Sequence, residues 1–299
     1  MIYDCIVVGA GIAGMTAALY LKKGNKNVLV IEKSTPGGAI NSASTVKNYP
    51  GIMCCTGPEF SDLIFNQIKE NDIPYVFDTV KDIKDGEIKT VKTGSNEYKT
   101  KFIILATGKE NRKLNLENED KLTGKGISYC ALCDAEFYKG KTVGVVGTGD
   151  AAVEEAIYLA TVCKEVYLLA KYDYFKCQGY LLEELNNTKN INILYSSMTK
   201  ELLEKDDKLT GIIYTKEDKD YKLDLDGLFV YIGSTPNIFS NLNLELDKNF
   251  IKVNELFETS VKGIYACGDV VKKSLYQLVT ASSDGAIAAT SIIKELNKK

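Results

Sequence analysis

The chain has 299 residues, 45% of them hydrophobic, with 37 basic against 40 acidic residues and a net charge of −3. Charges of both signs are interspersed, which excludes the basic stripe of a nucleic-acid binder, and no apolar run approaches the roughly 18 residues needed to span a bilayer. Histidine is absent, which excludes serine–histidine triads and histidine-bearing zinc sites, so a general acid must be a carboxyl, lysine, tyrosine or thiol.

Eight cysteines fall short of the density of a small secreted disulfide scaffold, and Asp4 interrupts the N-terminus before a signal-peptide core can form. The expectation is a cytoplasmic protein, with no nucleic acid and no membrane as partner. Ile2–Val8 reads as a buried strand running into Gly9-Ala10-Gly11-Ile12-Ala13-Gly14, and 15–23 has helical spacing. In such a strand–turn–helix the first glycine permits the turn, the second lets backbone N–H groups approach a pyrophosphate, and the third lets helix pack on strand. The next strand, 27–31, ends in Glu32, where a carboxylate is placed to grip a ribose hydroxyl. Gly37-Gly38 and Asn48-Tyr49-Pro50-Gly51 make further turns before a helix over 58–71. Short strands with breaks at Asp85-Gly86 and Gly94-Ser95 then lead to a strand over 102–105 and the loop Ala106-Thr107-Gly108.

Cys130-Ala131-Leu132-Cys133-Asp134 is the chemical centre of the sequence. Two cysteines at this spacing can close a reversible disulfide, and a neighbouring carboxyl can handle the proton. One such pair supplies two ligands where a structural zinc needs four, so no metal is expected. A strand over 141–146 enters a second glycine turn, Gly147-Thr148-Gly149-Asp150-Ala151-Ala152, with alanine in the third glycine's place and a helix over 151–161. The strand over 165–169 ends at Ala170, so the acid of the first turn has no counterpart here. Alternating segments follow at 191–195, 209–214 and 225–232, then a strand over 264–267, Gly268-Asp269, and a helix over 277–296. Gly285, early in that helix, reads as a point of close packing against a sheet or a ligand.

In this order the motifs resemble the low-molecular-weight thioredoxin reductases over essentially the whole chain. The resemblance rests on Gly9-x-Gly11-x-x-Gly14, Glu32, Gly37-Gly38, Asn48-Tyr49-Pro50-Gly51, Ala106-Thr107-Gly108, Cys130-x-x-Cys133-Asp134, the second glycine turn and Gly268-Asp269. It implies an α/β fold of two Rossmann-like dinucleotide-binding domains, the second inserted into the first. An FAD-binding domain would comprise residues 1–112 and 237–299, and an NAD(P)H-binding-like domain carrying the dithiol would comprise residues 113–236. For FAD it points to Gly9, Gly11, Ala13, Gly14, Glu32, Gly37, Gly38, Asn48, Ala106, Thr107, Gly108, Gly268, Asp269 and Gln277. For the nicotinamide nucleotide it points to Gly147, Gly149, Asp150, Ala151, Lys171 and Lys176.

By the same resemblance Cys133 faces the flavin, Cys130 attacks the disulfide of a thioredoxin-like protein, Asp134 donates or accepts the proton, and the chain is a homodimer. Where the family has a histidine–arginine–arginine cluster and a further arginine, this chain has Ala170-Lys171-Tyr172 and Lys176, and Tyr276-Gln277 replaces an arginine–glutamine pair. Lysine offers a point charge in place of a bidentate fork, and Arg112 is the only arginine in the chain, so the exchange also fits its composition. The expected electron donor is NADPH, with NADH or ferredoxin as alternatives. A flavin-binding redox sensor without turnover is the reading from a different class.

Overall fold

A computed structural model describes residues 1–43 and 46–298. The chain divides into two compact units, Met1–Glu110 with Thr235–Lys299, and Asn111–Ser234. Among the described residues no helix is long and apolar enough to cross a membrane.

In the first unit β1 (Ile2–Val8) runs through the glycine turn into α1 (Ile12–Lys23), followed by β2 (Val28–Glu32), α2 (Gly57–Glu70) and β3 (Tyr75–Phe77). β4 (Val80–Lys84), β5 (Lys89–Thr93) and β6 (Glu97–Leu105) come next, and the described strands order as β3-β2-β1-β6-β5-β4. β1 is parallel to both neighbours, with Cys5 opposite Val28 and Phe102, and the strand Ile264–Ala266 adds to β6 in parallel. Period-two alternation sorts these strands between two cores. Cys5, Val7, Val28, Val30 and Ile104 pack with Met15, Leu21, Ala288 and Ile292 of the helical layer, while Ile6, Val8, Leu29, Ile31 and Ile103 pack with Ile83 and Val91 on the other side. Burial on both faces is why β1 and β2 read as unbroken apolar runs.

Thr56 and Glu59 cap α2 reciprocally: the Thr56 hydroxyl accepts the Glu59 N–H at 3.3 Å, and the Glu59 carboxylate accepts the Thr56 N–H at 2.8 Å. The last helix, Leu278–Asn297, packs on α1, and a Cβ at Gly285 would lie 2.1 Å from the Ala13 carbonyl oxygen. The partner that Gly285 admits is therefore a helix, where the sequence suggested a sheet or a ligand.

The second unit repeats the plan. Five of its strands form a parallel sheet, in the spatial order Ile191–Leu194, Glu165–Leu169, Thr142–Val146, Gly227–Val230, Ile127–Ser128. The helix Asp150–Ala160 follows the second glycine turn. A three-stranded antiparallel sheet, Ser197–Lys205, Lys208–Lys216 and Lys219–Asp224, packs its own apolar face inward through Leu202, Leu209 and Ile212. The sequence marks only the middle strand of this sheet. Its hairpin turns, Asp206-Asp207 and Glu217-Asp218, hold φ between 49° and 58° at both central positions, the left-handed region usually signalled by glycine or asparagine. Without that signal, and with polar outer strands, the flanking members pass for loop.

Candidate active site

In the first unit the strand–turn–helix gathers many of the residues that the sequence singles out. Gly9 turns the chain at φ +106°, and a Cβ there would lie 2.4 Å from the Ala106 carbonyl oxygen; at Gly14 a Cβ would lie 2.0 Å from the Gly9 carbonyl oxygen. Gly37 N–H donates to Ala10 O at 2.7 Å, which brings the Gly37-Gly38 turn to the same place. The buried Glu32 carboxylate accepts the Ala10 N–H at 2.7 Å and the Ser34 N–H at 3.0 Å. Glu32 thus braces the glycine loop from within; Oε1 also accepts the Ser34 hydroxyl at 3.4 Å, and Oε2 keeps a second lone pair for a ligand hydroxyl.

α1 has no side-chain cap and no acid in its first turn, in contrast to α2, and the nearest atom to a Cβ at Gly11 is Gly37 O at 3.9 Å. Its leading N–H groups, with the positive end of the helix dipole behind them, suit a pyrophosphate. A Cβ at Gly38 or Gly108 would meet nothing within 4 Å, so the backbone there is approachable. Gly268 packs on Ala13, and its N–H donates to Asp284 Oδ2 at 3.1 Å. Lys273 lies 2.7 Å from Asp284 and 3.6 Å from Asp269, so a buried ion pair steadies the Gly268-Asp269 turn. Asn48 donates to the Gln277 side chain at 3.0 Å, Tyr49 and Ser282 hydroxyls meet at 3.1 Å, and the Thr107 hydroxyl donates to Asn237 O. Lys109 stands 3.5 Å over the Tyr276 ring, and burial holds its ammonium below the usual range.

In the second unit a Cβ at Gly149 would meet nothing within 4 Å. Asp150 accepts the Gln178 N–H at 2.9 Å, and Lys176 N–H donates to Thr148 O at 2.7 Å, which ties the lysine-bearing loop to the glycine turn. Lys171 and Lys176 flank the Tyr172 ring at 6.0 and 4.7 Å, and Tyr172 stacks on Tyr174 at 5.4 Å. Position 152 accepts a methyl because Gly147, without a Cβ, leaves room for it.

The dithiol sits in this unit, at the end of the strand Ile127–Ser128. Cys130 is the N-cap of the one-turn helix Ala131–Asp134 and is bonded to Cys133, with Cα atoms 5.3 Å apart. This helix packs on Asp150–Ala160, the helix that opens in the second glycine turn. The Ser128 hydroxyl accepts the Cys130 N–H at 3.1 Å and donates to Asp134 Oδ2 at 2.7 Å. The Ala131 N–H donates to the Tyr231 hydroxyl at 2.6 Å, and burial, reinforced by the Glu155 charge, keeps that phenol far above its usual range.

The other cysteines differ. Cys5, Cys163 and Cys267 are buried free thiols, and burial pushes the Cys163 thiol up to about 11. Cys54 is exposed, and Cys55 and Cys177 are partly covered. Sequence reasoning passed over Ser128, Tyr231, Glu155, Lys273 and Asp284. Only Ser128 and Lys273 had a local signal, the first two residues before Cys130 and the second one helical turn after Asp269.

Two glycine-turn units and a bonded Cys-x-x-Cys with an adjacent held carboxylate define a nucleotide-linked disulfide oxidoreductase. The chain belongs to the pyridine nucleotide-disulphide oxidoreductase family, whose model matches residues 3–285, and is thereby an oxidoreductase of a class that works with a flavin and a pyridine nucleotide. Within the family it is similar to thioredoxin reductases. It is 40% identical to that of Bacillus subtilis (strain 168) over 97% of this chain and 94% of the relative. The crystal structure of thioredoxin reductase from Streptococcus pyogenes MGAS5005 matches with a TM-score of 0.93 at 33% identity, over 100% of this chain and 99% of that one. A ferredoxin-flavin thioredoxin reductase from Clostridium acetobutylicum matches with a TM-score of 0.54 at 31% identity, over 99% of each chain.

Proposed function

We propose that the chain is an FAD-dependent thioredoxin-disulfide reductase that carries electrons from NADPH to a thioredoxin-like protein disulfide through Cys130 and Cys133. The observation that carries this reading is the bonded Cys130–Cys133 pair beside an Asp134 carboxylate held by Ser128, on a helix packed against the one that opens in the second glycine turn. Residues of the first unit fit FAD: the uncapped start of α1 for its pyrophosphate, Glu32 and Asp269 for hydroxyls, and the open backbone at Gly38 and Gly108 for close approach. Bound FAD supplies a two-electron carrier.

The chain's own steps balance. Two electrons open the Cys130–Cys133 bond and one proton is taken up, leaving one thiol and one thiolate. Cys130 thiolate attacks a sulfur of the partner disulfide, forming a mixed disulfide and expelling one partner thiolate, which takes its proton from Asp134. Cys133 then gives up its proton and attacks Cys130 sulfur, re-forming the intramolecular bond and expelling the second partner thiolate, which takes up the proton that Cys133 released. Asp134 regains its proton from solvent.

NADPH is favoured because the second glycine turn keeps an approachable backbone at Gly149, and because Lys171 and Lys176 converge beside it on Tyr172. Ferredoxin is the second reading, favoured by the absence of an arginine clamp and by the Clostridium acetobutylicum relative named for that donor. The reading includes a homodimer in the cytoplasm. Anaerobic titration of the flavin with NADPH, NADH and reduced ferredoxin decides the donor. Cys130→Ser and Cys133→Ser are each expected to keep FAD bound and to lose thioredoxin reduction by more than a hundredfold. Full turnover in either variant would sink the dithiol assignment.

A further inference from the structure

We propose that Ser128 is a positioning residue that holds Asp134 at the dithiol and passes its protonation state to the Cys130 carbonyl, where the disulfide turn begins. The inference rests on Cys130 and Cys133 being the working pair. Ser128 is 5% exposed, at the end of the edge strand Ile127–Ser128. Its hydroxyl accepts the Cys130 N–H at 3.1 Å, and its single hydrogen has two acceptors within reach, Asp134 Oδ2 at 2.7 Å and Cys130 O at 3.3 Å.

One hydrogen serves one acceptor at a time. While Asp134 is ionised, the shorter, charge-assisted bond to its carboxylate wins. When Asp134 takes a proton, its O–H can donate to the Ser128 oxygen, whose other lone pair still accepts the Cys130 N–H. The serine hydrogen is then released to Cys130 O. That carbonyl also accepts the Cys133 and Asp134 N–H groups, each at 3.2 Å, the bonds that close the turn between the two cysteines. A change of charge on the acid therefore becomes a change in what the turn's own carbonyl must accept.

Other groups bear on the acid. Burial, with the Asp134 charge adding to it, raises the phenols of Tyr138, on the one-turn helix that follows, and of Tyr231, beyond the strand Gly227–Val230. Glu136 is two residues on, and Glu155 lies on the Asp150–Ala160 helix packed against the dithiol helix.

The test uses the full chain with its disulfide opened by dithiothreitol and then desalted, and needs neither thioredoxin nor a nicotinamide. The rate of Cys130 alkylation by iodoacetamide is followed against pH by peptide mass spectrometry. The Asp134 step in this profile is the one that Asp134→Asn abolishes. Ser128→Ala is expected to displace that step, because the hydroxyl that donates to the carboxylate is lost, while Ser128→Thr leaves it in place. If Ser128→Ala does not fold, Ser128→Val against Ser128→Thr, alike in shape, makes the same comparison. An Asp134 step unmoved in Ser128→Ala, one moved equally in Ser128→Thr, or a profile that Asp134→Asn leaves intact would each overturn the proposal. Failure to reduce thioredoxin would overturn the functional reading alone.

Discussion

Glu155 shows what burial does to a single carboxyl. Its Oε2 is buried with no hydrogen-bond partner among the described residues, and desolvation, with the Glu154 charge adding to it, pushes the group up to about 7. An unfolded glutamate titrates near 4.3, so between that pH and about 7 the folded chain binds a proton that the unfolded chain has lost. Stability therefore falls as pH rises through this window, by on the order of 3 kcal/mol. Glu155→Gln, which removes the charge and keeps the shape, should flatten the change in urea midpoint between pH 5 and pH 8. An unchanged pH dependence in that variant would show that the carboxyl is already ionised at no cost.

The contact between α1 and the last helix turns on a glycine and has a consequence at the cofactor turn. A methyl at Gly285 would meet Ala13 O at 2.1 Å, and this is backbone, which cannot swing aside. Gly285→Ala should cost about 1–3 kcal/mol through forced separation. Because Ala13 is part of the turn proposed to hold FAD, the same variant should release flavin more readily, measured by flavin fluorescence on dilution. Ser283→Gly, an exposed change in the same helix, should cost about 0.5 kcal/mol through helix propensity and leave flavin retention as it was. Equal flavin loss in both would mean that helix stability, not the close approach, governs retention.

Each unit has apolar clusters of its own: two lie on either side of the sheet around β1, and two belong to the unit that carries the dithiol. Ligand effects should divide accordingly. The proposed donor site is confined to the second unit, so Lys171→Ala with Lys176→Ala should raise the KM for NADPH at least tenfold, about 1.4 kcal/mol, while changing the KM for NADH less than threefold. Only NADPH carries the extra phosphate those charges would meet. Equal changes in both KM values would place the lysines elsewhere in the nucleotide's path, and slow reduction by either nucleotide beside fast reduction by ferredoxin would exchange the donor.

Local physics carried much of this protein into the sequence. The strand–turn–helix at Gly9–Gly14, its repeat at Gly147–Ala152 and the cysteine pair depend on residues within a few positions of one another, and backbone sterics and hydrophobic period act over that range. The outer strands of the three-stranded sheet were hidden because acidic residues fill turns that glycine or asparagine would have announced. The supports of the candidate site were out of reach for a different reason. Ala131 and Tyr231 are 100 positions apart and meet because the strand Gly227–Val230 pairs beside Ile127–Ser128, while Glu32 reaches Ala10 because β2 lies against β1. Those hydrogen bonds follow from strand order and register, which are set by the burial of whole faces, so no stretch of the chain read by itself contains them.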